Sequence, residues 1–368
     1  MEKKIGVVTF HRAINYGAAF QTYALQKCIR DLGYAVEVLD YRCDFLEKLH
    51  NPYNLQLYRT PFHFLRALLK NRIKKDNRKA FRTFQQNNVV VSAPYDKQNL
   101  YAANDEYSAF IVGSDQVWNY QCTNFDKTYF LDFVTNNHKK YSYAASVGIN
   151  LNRPTLQAEY LRLLGSYRTL CVREAQGQQE LAAIGLDAVV ALDPTLLLNK
   201  AEWLTLATRP QQIAADKKYL LVYVIIETPS IFETARKIAS QYNLEIIYIN
   251  EMLFNQRGVL NLKGVTPNEW LWLFANAQFI VTNSFHGTAF SVNFEKQFAV
   301  EPLPVKTNVN SRIFDFLKIA NLSDRIINAN DTIPENFTID YKTISIQTDK
   351  MASMGILQKI LQDISNNA

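Results

Sequence analysis

Short apolar runs alternate with amphipathic helical segments along most of this chain, and that alternation restricts its fold more than any other feature. Residues 5–10 read as a strand, His11 to Gly17 as a loop, and 18–32 as a helix. Phe20, Ala24, Leu25, Cys28, Ile29 and Leu32 share one face of that helix, and Gly33 is placed to cap it. A second strand follows at 35–39. Strand-like runs recur at 109–112, 141–145, 169–172 and 188–192, with helices expected at 156–164 and 176–184. Asp193-Pro194-Thr195 breaks the pattern, and 202–218 read as a connector. A second series then begins: strand 219–226, helix 230–242, strand 244–249, helix 267–275, strand 279–281. Strands alternating with helices imply parallel sheets with crossover helices. Two such series predict an α/β fold of two Rossmann-like domains facing a cleft. The expected boundaries are 1–195, carrying a basic helical insertion at about 46–86, and 196–348. Ile356, Leu357, Ile360, Leu361 and Ile364 give a helix within 349–368, expected to pack back on the N-terminal domain.

With 368 residues, 48% hydrophobic and 20% charged, the chain has the composition of a soluble globular protein with ample core. No run approaches the roughly 20 apolar residues of a membrane helix. The first apolar run is strand-length and ends in His11 and Arg12, unlike a signal peptide. Cys28, Cys43, Cys122 and Cys171 are scattered and form no CxxC pair, so neither zinc nor a disulfide framework is indicated. These features point to a cytoplasmic protein with reduced thiols.

The net charge of +6 is unevenly spread. Between Arg59 and Arg82 lie Arg66, Lys70, Arg72, Lys74, Lys75, Arg78 and Lys79 against the single acid Asp76. Phe62, Phe64, Leu65, Leu68, Leu69 and Ile73 add an apolar component at near-helical spacing. Such a helix is either a solvated face or a peripheral contact with an anionic membrane or a phosphate-bearing lipid carrier. No nucleic-acid motif accompanies it.

Candidate functional residues stand where strands end. Asn15-Tyr16-Gly17 can turn tightly after the first strand, but the GxGxxG spacing of a dinucleotide site is absent. Asp115, after the strand at 109–112, suits either a sugar hydroxyl or a helix N-cap. Trp118 suits either a sugar face or the core. Arg173 ends another strand, where it can hold a carboxylate or phosphate in bidentate fashion or pair with a local acid such as Glu174. In the second series His286 sits between a strand end and a helix start, flanked by Ser284 and Thr288. Ligands of open α/β sheets bind there, and histidine titrates nearest to working pH. Arg312 opens a further amphipathic helix and is a second candidate for an anion. No Walker A loop, HExxH or GxSxG is present.

Six segments together resemble the polysaccharide pyruvyl transferase family. They are Phe10-His-Arg-Ala-Ile-Asn-Tyr-Gly-Ala18, Gly113-Ser-Asp-Gln-Val-Trp-Asn119, Tyr141-Ser-Tyr-Ala-Ala-Ser-Val-Gly148, Val172-Arg-Glu174, Leu192-Asp-Pro-Thr195 and Ser284-Phe-His-Gly-Thr-Ala-Phe290. They occur in family order over most of the chain. The resemblance implies a fold like that of GT-B glycosyltransferases. It implies transfer of pyruvate from phosphoenolpyruvate to two hydroxyls of a saccharide or lipid-linked precursor, as a cyclic ketal, with release of phosphate and no cofactor. His286 would be the acid/base residue, and Arg173 would hold an anionic group of the donor. The family's arginine two residues before the histidine is Ser284 here, so Arg12, Arg173 or Arg312 is expected to replace it. Ser284 and Thr288 are further donor-side candidates; Asn15, Asp115 and Trp118 are acceptor-side ones. Two other readings remain: a GT-B-type glycosyltransferase using a nucleotide sugar, although no glutamate for a ribose is evident near His286, and a non-catalytic sugar- or phosphate-binding module.

Overall fold

A computed structural model describes residues 4–50, 77–303, 310–328, 331–344 and 346–367. They divide into two units. One holds 4–50, 84–198 and 347–367; the other holds 77–83 and the described residues of 199–346. The basic segment expected at 59–82 lies outside the described residues as far as 76, and 77–88 are helical.

In the first unit five strands, β1 (Lys4–Val8), β2 (Val36–Tyr41), β3 (Val91–Tyr95), β4 (Tyr107–Val112) and β5 (Lys140–Ser142), form a parallel sheet in the order β3-β2-β1-β4-β5. Val7 pairs with Val38 on one side and Ile111 on the other. Two short strands, β6 (Cys171–Val172) and β7 (Val189–Val190), pair with each other, and single bridges at Tyr141–Thr169 and Ala145–Val172 carry the pattern on. The helices met along the chain are α1 (Tyr16–Asp31), α2 (Asp44–His50), α3 (77–88), α4 (Ala103–Glu106), α5 (Tyr120–Thr123), α6 (Pro154–Leu164), α7 (Ala175–Ala182) and α8 (Pro194–Leu197). β4 reads Tyr-Ser-Ala-Phe-Ile-Val and is buried at all but Ser108, the near-continuous apolar run of a strand covered on both faces. Its Phe110 and Val112 meet Val8, Trp118 and Phe130 in the core.

The second unit repeats the plan. After α9 (Lys200–Leu204) come β8 (Tyr219–Tyr223), α10 (Pro229–Gln241), β9 (Glu245–Ile249), β10 (Leu260–Leu262), α11 (Pro267–Asn276), β11 (Phe279–Thr282), α12 (Phe285–Asn293), β12 (Gln297–Val300) and α13 (Ser311–Ile319). The sheet is parallel in the order β10-β9-β8-β11-β12. Helix starts follow their capping signals: Thr228 caps α10 and Thr266 makes a reciprocal box with Glu269 on α11, each followed by proline. Leu220, Val222, Ile231, Ile238 and Val281 form the core.

The last helix, α14 (Gln347–Asn367), returns to the first unit. Leu357, Ile360, Leu361 and Ile364 are buried in it. The Ser353 hydroxyl accepts from the Leu192 N–H at 2.9 Å. Asp363 accepts from the Tyr141 hydroxyl at 2.7 Å and from both sides of the Arg168 fork at 3.1 and 2.8 Å.

Each sheet has one point where the chain reverses its direction of travel, between β1 and β4 and between β8 and β11. Ligand crevices of open α/β sheets open there, at the carboxyl ends of the strands. The sequence candidates fall at these two places.

Candidate active site

In the second unit, β11 ends at Thr282 and the chain turns directly into α12. Ser284 is the N-cap: its hydroxyl accepts from the Gly287 N–H at 3.2 Å. Its own N–H donates to Thr282 Oγ1 at 3.1 Å. The helix therefore starts at Phe285, and His286 lies inside its first turn and not between the strand end and the helix start. His286 is 7% exposed, with the Phe285 ring edge-on at 5.2 Å between centroids. Thr288 is fully buried and its hydroxyl donates back to the Ser284 carbonyl at 2.9 Å. Ser284 and Thr288, read from sequence as donor ligands, are thus engaged in building the turn that holds His286. Across the switch, Asn283 accepts from the Ile225 N–H at 2.8 Å and donates to the Ile226 carbonyl at 2.7 Å. That side chain ties the loop after β8 to the loop that carries His286. Arg312 is buried near the start of α13, which packs against α12.

Glu301 follows β12 directly. It is 5% exposed; one carboxylate oxygen accepts from the Thr228 and Ser230 hydroxyls, and the other has no hydrogen-bond partner. Nothing in the periodicity singled it out, since β12 was not read as a strand.

In the first unit the switch point is filled by the protein's own polar groups. Gln21 of α1 donates to Thr9 Oγ1 at 2.8 Å and accepts from the Ser114 N–H at 2.9 Å. The Ser114 hydroxyl lies 2.9 Å from Asp193, and Asp193 takes a 2.7 Å ion pair from Arg173. Asp115 and Glu174 each lie 3.8 Å from the same guanidinium. All of Thr9, Gln21, Ser114, Asp193, Arg173 and Glu174 are buried. Burial alone would lower the Arg173 pKa, but Asp193, then Asp115 and Glu174, outweigh it and raise it. Arg173, expected to anchor the donor, stands in a buried cluster with Asp193, Asp115 and Glu174 around its guanidinium. Its main partner, Asp193, is also the N-cap of α8. Gly113 makes this crossing possible, since a Cβ there would stand 2.2 Å from the Tyr143 carbonyl oxygen.

The remaining candidates separate. Asn15 caps α1, accepting from the Ala18 N–H at 3.0 Å. Arg12 is partly exposed and pairs with Asp40 at 3.0 Å and Glu47 at 2.5 Å, so it too is matched by acids. His11 meets the same Asp40 oxygen at 3.1 Å. Burial pushes the Asp40 carboxyl up, but His11 and then Arg12 outweigh it and hold its pKa at about 2. Asp115 has a left-handed φ of 69° and accepts from the Gln116 N–H, half-buried at the rim of the cluster; it caps no helix. Trp118 is 0% exposed, lies parallel to Phe130 and donates to the Tyr129 carbonyl at 3.1 Å. It belongs to the core and presents no face to a sugar. Among the described residues, no group of His, Cys, Asp and Glu is arranged for a metal, the four cysteines are free thiols, and no helix is long and apolar enough to cross a membrane.

Two Rossmann-like units with a histidine in the turn after the fourth strand of the second define a GT-B-like protein. Solved structures agree on the fold. A UDP-GlcNAc 2-epimerase from Methanocaldococcus jannaschii, in complex with UDP-GlcNAc and UDP, is 11% identical over 98% of this chain and 99% of its own, with a TM-score of 0.52. Another UDP-N-acetylglucosamine 2-epimerase is 12% identical over 98% and 95%, with a TM-score of 0.51. No curated protein matches the chain in sequence. Residues 15–300 match the polysaccharide pyruvyl transferase family, and the chain belongs to it.

Proposed function

We propose that this protein moves the pyruvyl group of phosphoenolpyruvate onto two hydroxyls of a saccharide, forming a cyclic ketal and releasing phosphate. The observation that carries the reading is the placement of His286. It is buried in the first turn of a nine-residue helix at the switch point of a parallel sheet. A proton donor is needed there, because the donor's enol carbon becomes electrophilic only when its methylene carbon is protonated. His286 supplies that proton and a C–H bond forms. One sugar hydroxyl then adds to the cationic carbon and returns a proton to His286. The carbon–oxygen bond to phosphate breaks as the second hydroxyl adds to the same carbon, and the proton of that hydroxyl leaves with the phosphate. The N-terminus of α12 favours the anionic donor. Arg312, buried near the start of α13, is the cation we assign to the donor's carboxylate or phosphate. The acceptor is read as a lipid-linked saccharide or polysaccharide precursor met in the cytoplasm, with the basic segment 59–82 as the contact with anionic lipid. Basic residues there should matter for a lipid-linked acceptor and not for a soluble one.

The test is phosphate release from phosphoenolpyruvate in the presence of saccharide acceptors. His286→Gln keeps hydrogen bonding but cannot titrate, and should slow turnover by about 10²–10⁴-fold with the fold intact. A folded His286→Gln as active as the parent would remove His286 from the chemistry. Absence of phosphate release with every acceptor would remove the reaction.

Glu301 favours one second reading. A buried carboxylate with an open oxygen at the end of β12 suits a vicinal diol such as a ribose, and hence a nucleotide-sugar donor. The same assay with a UDP-sugar separates the two, since UDP would appear in place of phosphate.

A further inference from the structure

Away from the filled switch point, the first unit opens a cavity of about 500 Å³ beyond the carboxyl ends of β2 and β3. Asp44 and Phe45 reach it from the start of α2, Lys97 and Tyr101 from the segment after β3, and residues 123–133 close the far side. That volume is in the range of small-molecule sites.

Its wall has three properties. The first is exposed aromatic surface: Tyr101 is 59% and Phe45 36% exposed, although both are large apolar side chains next to a well-filled core. The second is an orphaned hydroxyl. Thr123 is 1% exposed and its Oγ1 has no hydrogen-bond partner, a condition that costs roughly 1–3 kcal/mol unless something else supplies the bond. The third is a charge balance that leans negative. Asp44, Asp126 and Asp132 face two lysines; Lys97 already lies 3.7 Å from Asp126, and Lys127 pairs with Glu159 at 2.9 Å. A phosphate or a uronic acid would meet excess negative charge. A ligand with many hydroxyls and apolar C–H faces would find acceptors, a hydroxyl partner and aromatic platforms. The wall is also held in unusual backbone: Asn124 and Phe125 are successive residues at φ 51° and 57°. A bulky residue in that region is rare and is kept only where its surroundings hold it there.

We propose that this cavity is a binding site for a neutral saccharide. As part of a saccharide-modifying enzyme it rests on the pyruvyl-transfer reading; as a saccharide site it stands on the cavity alone.

The experiment uses the full chain without phosphoenolpyruvate. Cellotetraose, maltotetraose and a β-linked galactotetraose are titrated at millimolar concentration, with saturation-transfer NMR and calorimetry as readouts. At least one should bind. Tyr101→Ala should weaken it by about tenfold, as expected for loss of one ring platform. Thr123→Val should also weaken it while leaving the melting temperature unchanged or higher, because a methyl replaces an unsatisfied hydroxyl. A purely structural Thr123 would show no binding change. If none of the three binds the parent, or if Tyr101→Ala binds as the parent does, the proposal is overturned. Binding that Tyr101→Ala abolishes, in a protein that releases no phosphate from phosphoenolpyruvate, supports the saccharide site while removing the reaction.

Discussion

Gly287 shows how tightly α12 is laid on the strand before it. A Cβ there would sit 2.3 Å from Thr282 Oγ1 and 3.1 Å from Thr282 Cβ. Thr282 cannot simply swing away, because the same oxygen accepts the Ser284 N–H. Gly287→Ala should therefore destabilise the protein by about 1–3 kcal/mol, the usual cost of overpacking, and should displace the His286 turn. Urea unfolding measures the first effect and phosphate release the second; a variant equal to the parent in both would show that the turn has slack. At this scale sequence is a partial guide. That His286 follows a strand end was readable, whereas the N-cap role of Ser284 was missed, although serine is a favoured residue there. What Arg173 meets was not readable. Its partner Asp193 lies twenty residues on, at the end of a different strand, and no local pattern announces that pairing. Trp118 is ambiguous in the same way, since an indole after a strand looks alike whether it faces a sugar or Phe130.

The loop after β1 is held by one carboxylate. Asp40, near the end of β2, takes His11 at 3.1 Å and Arg12 at 3.0 Å, and Arg12 continues to Glu47 on α2. The Asp40 pKa of about 2 lies below its unfolded value of roughly 4. Its contribution to stability is therefore fully present above about pH 4 and is lost as pH falls from there towards 2. In Asp40→Asn that dependence should vanish, so the parent should lose more stability than the variant across this window. Denaturant midpoints at several acidic pH values check it, and parallel curves would refute the coupling. Elements with strong periodicity were the legible ones: β8, β9, α10, α11 and β11 lie within a residue or so of expectation at most ends. The strands not foreseen are of another kind. β3 is an edge strand, largely exposed and containing Pro94, so it has neither an apolar run nor an alternating pattern. β10 is three residues long with Asn261 at its centre, and β12 opens on Gln297 directly after Glu295 and Lys296, so neither stands out as an apolar run.

For the whole molecule the last helix matters most. Leu357, Ile360, Leu361 and Ile364 of α14 are buried against the first unit, each contributing roughly 1.5–3 kcal/mol as an upper estimate. A chain ending at Ile346 should expose the apolar surface of the first unit that α14 covers and leave Tyr141 and Arg168 without Asp363. We expect it to aggregate or to melt well below the parent, measured by light scattering and circular dichroism. A truncated chain as soluble and stable as the parent would show that α14 only decorates the unit. The helix was legible from its spacing, and two domains from the two strand–helix series; the contacts by which 347–367 join residues they follow by well over a hundred positions are carried by no local pattern. That return sets an order of events on the ribosome. Domains generally fold as units while synthesis proceeds. Here the segment 199–346 can close its sheet as soon as it emerges, whereas the half that is made first must wait, incomplete, for 347–367. A ribosome stalled before those residues emerge would hold a chain whose later half is folded and whose earlier half still shows its core to chaperones.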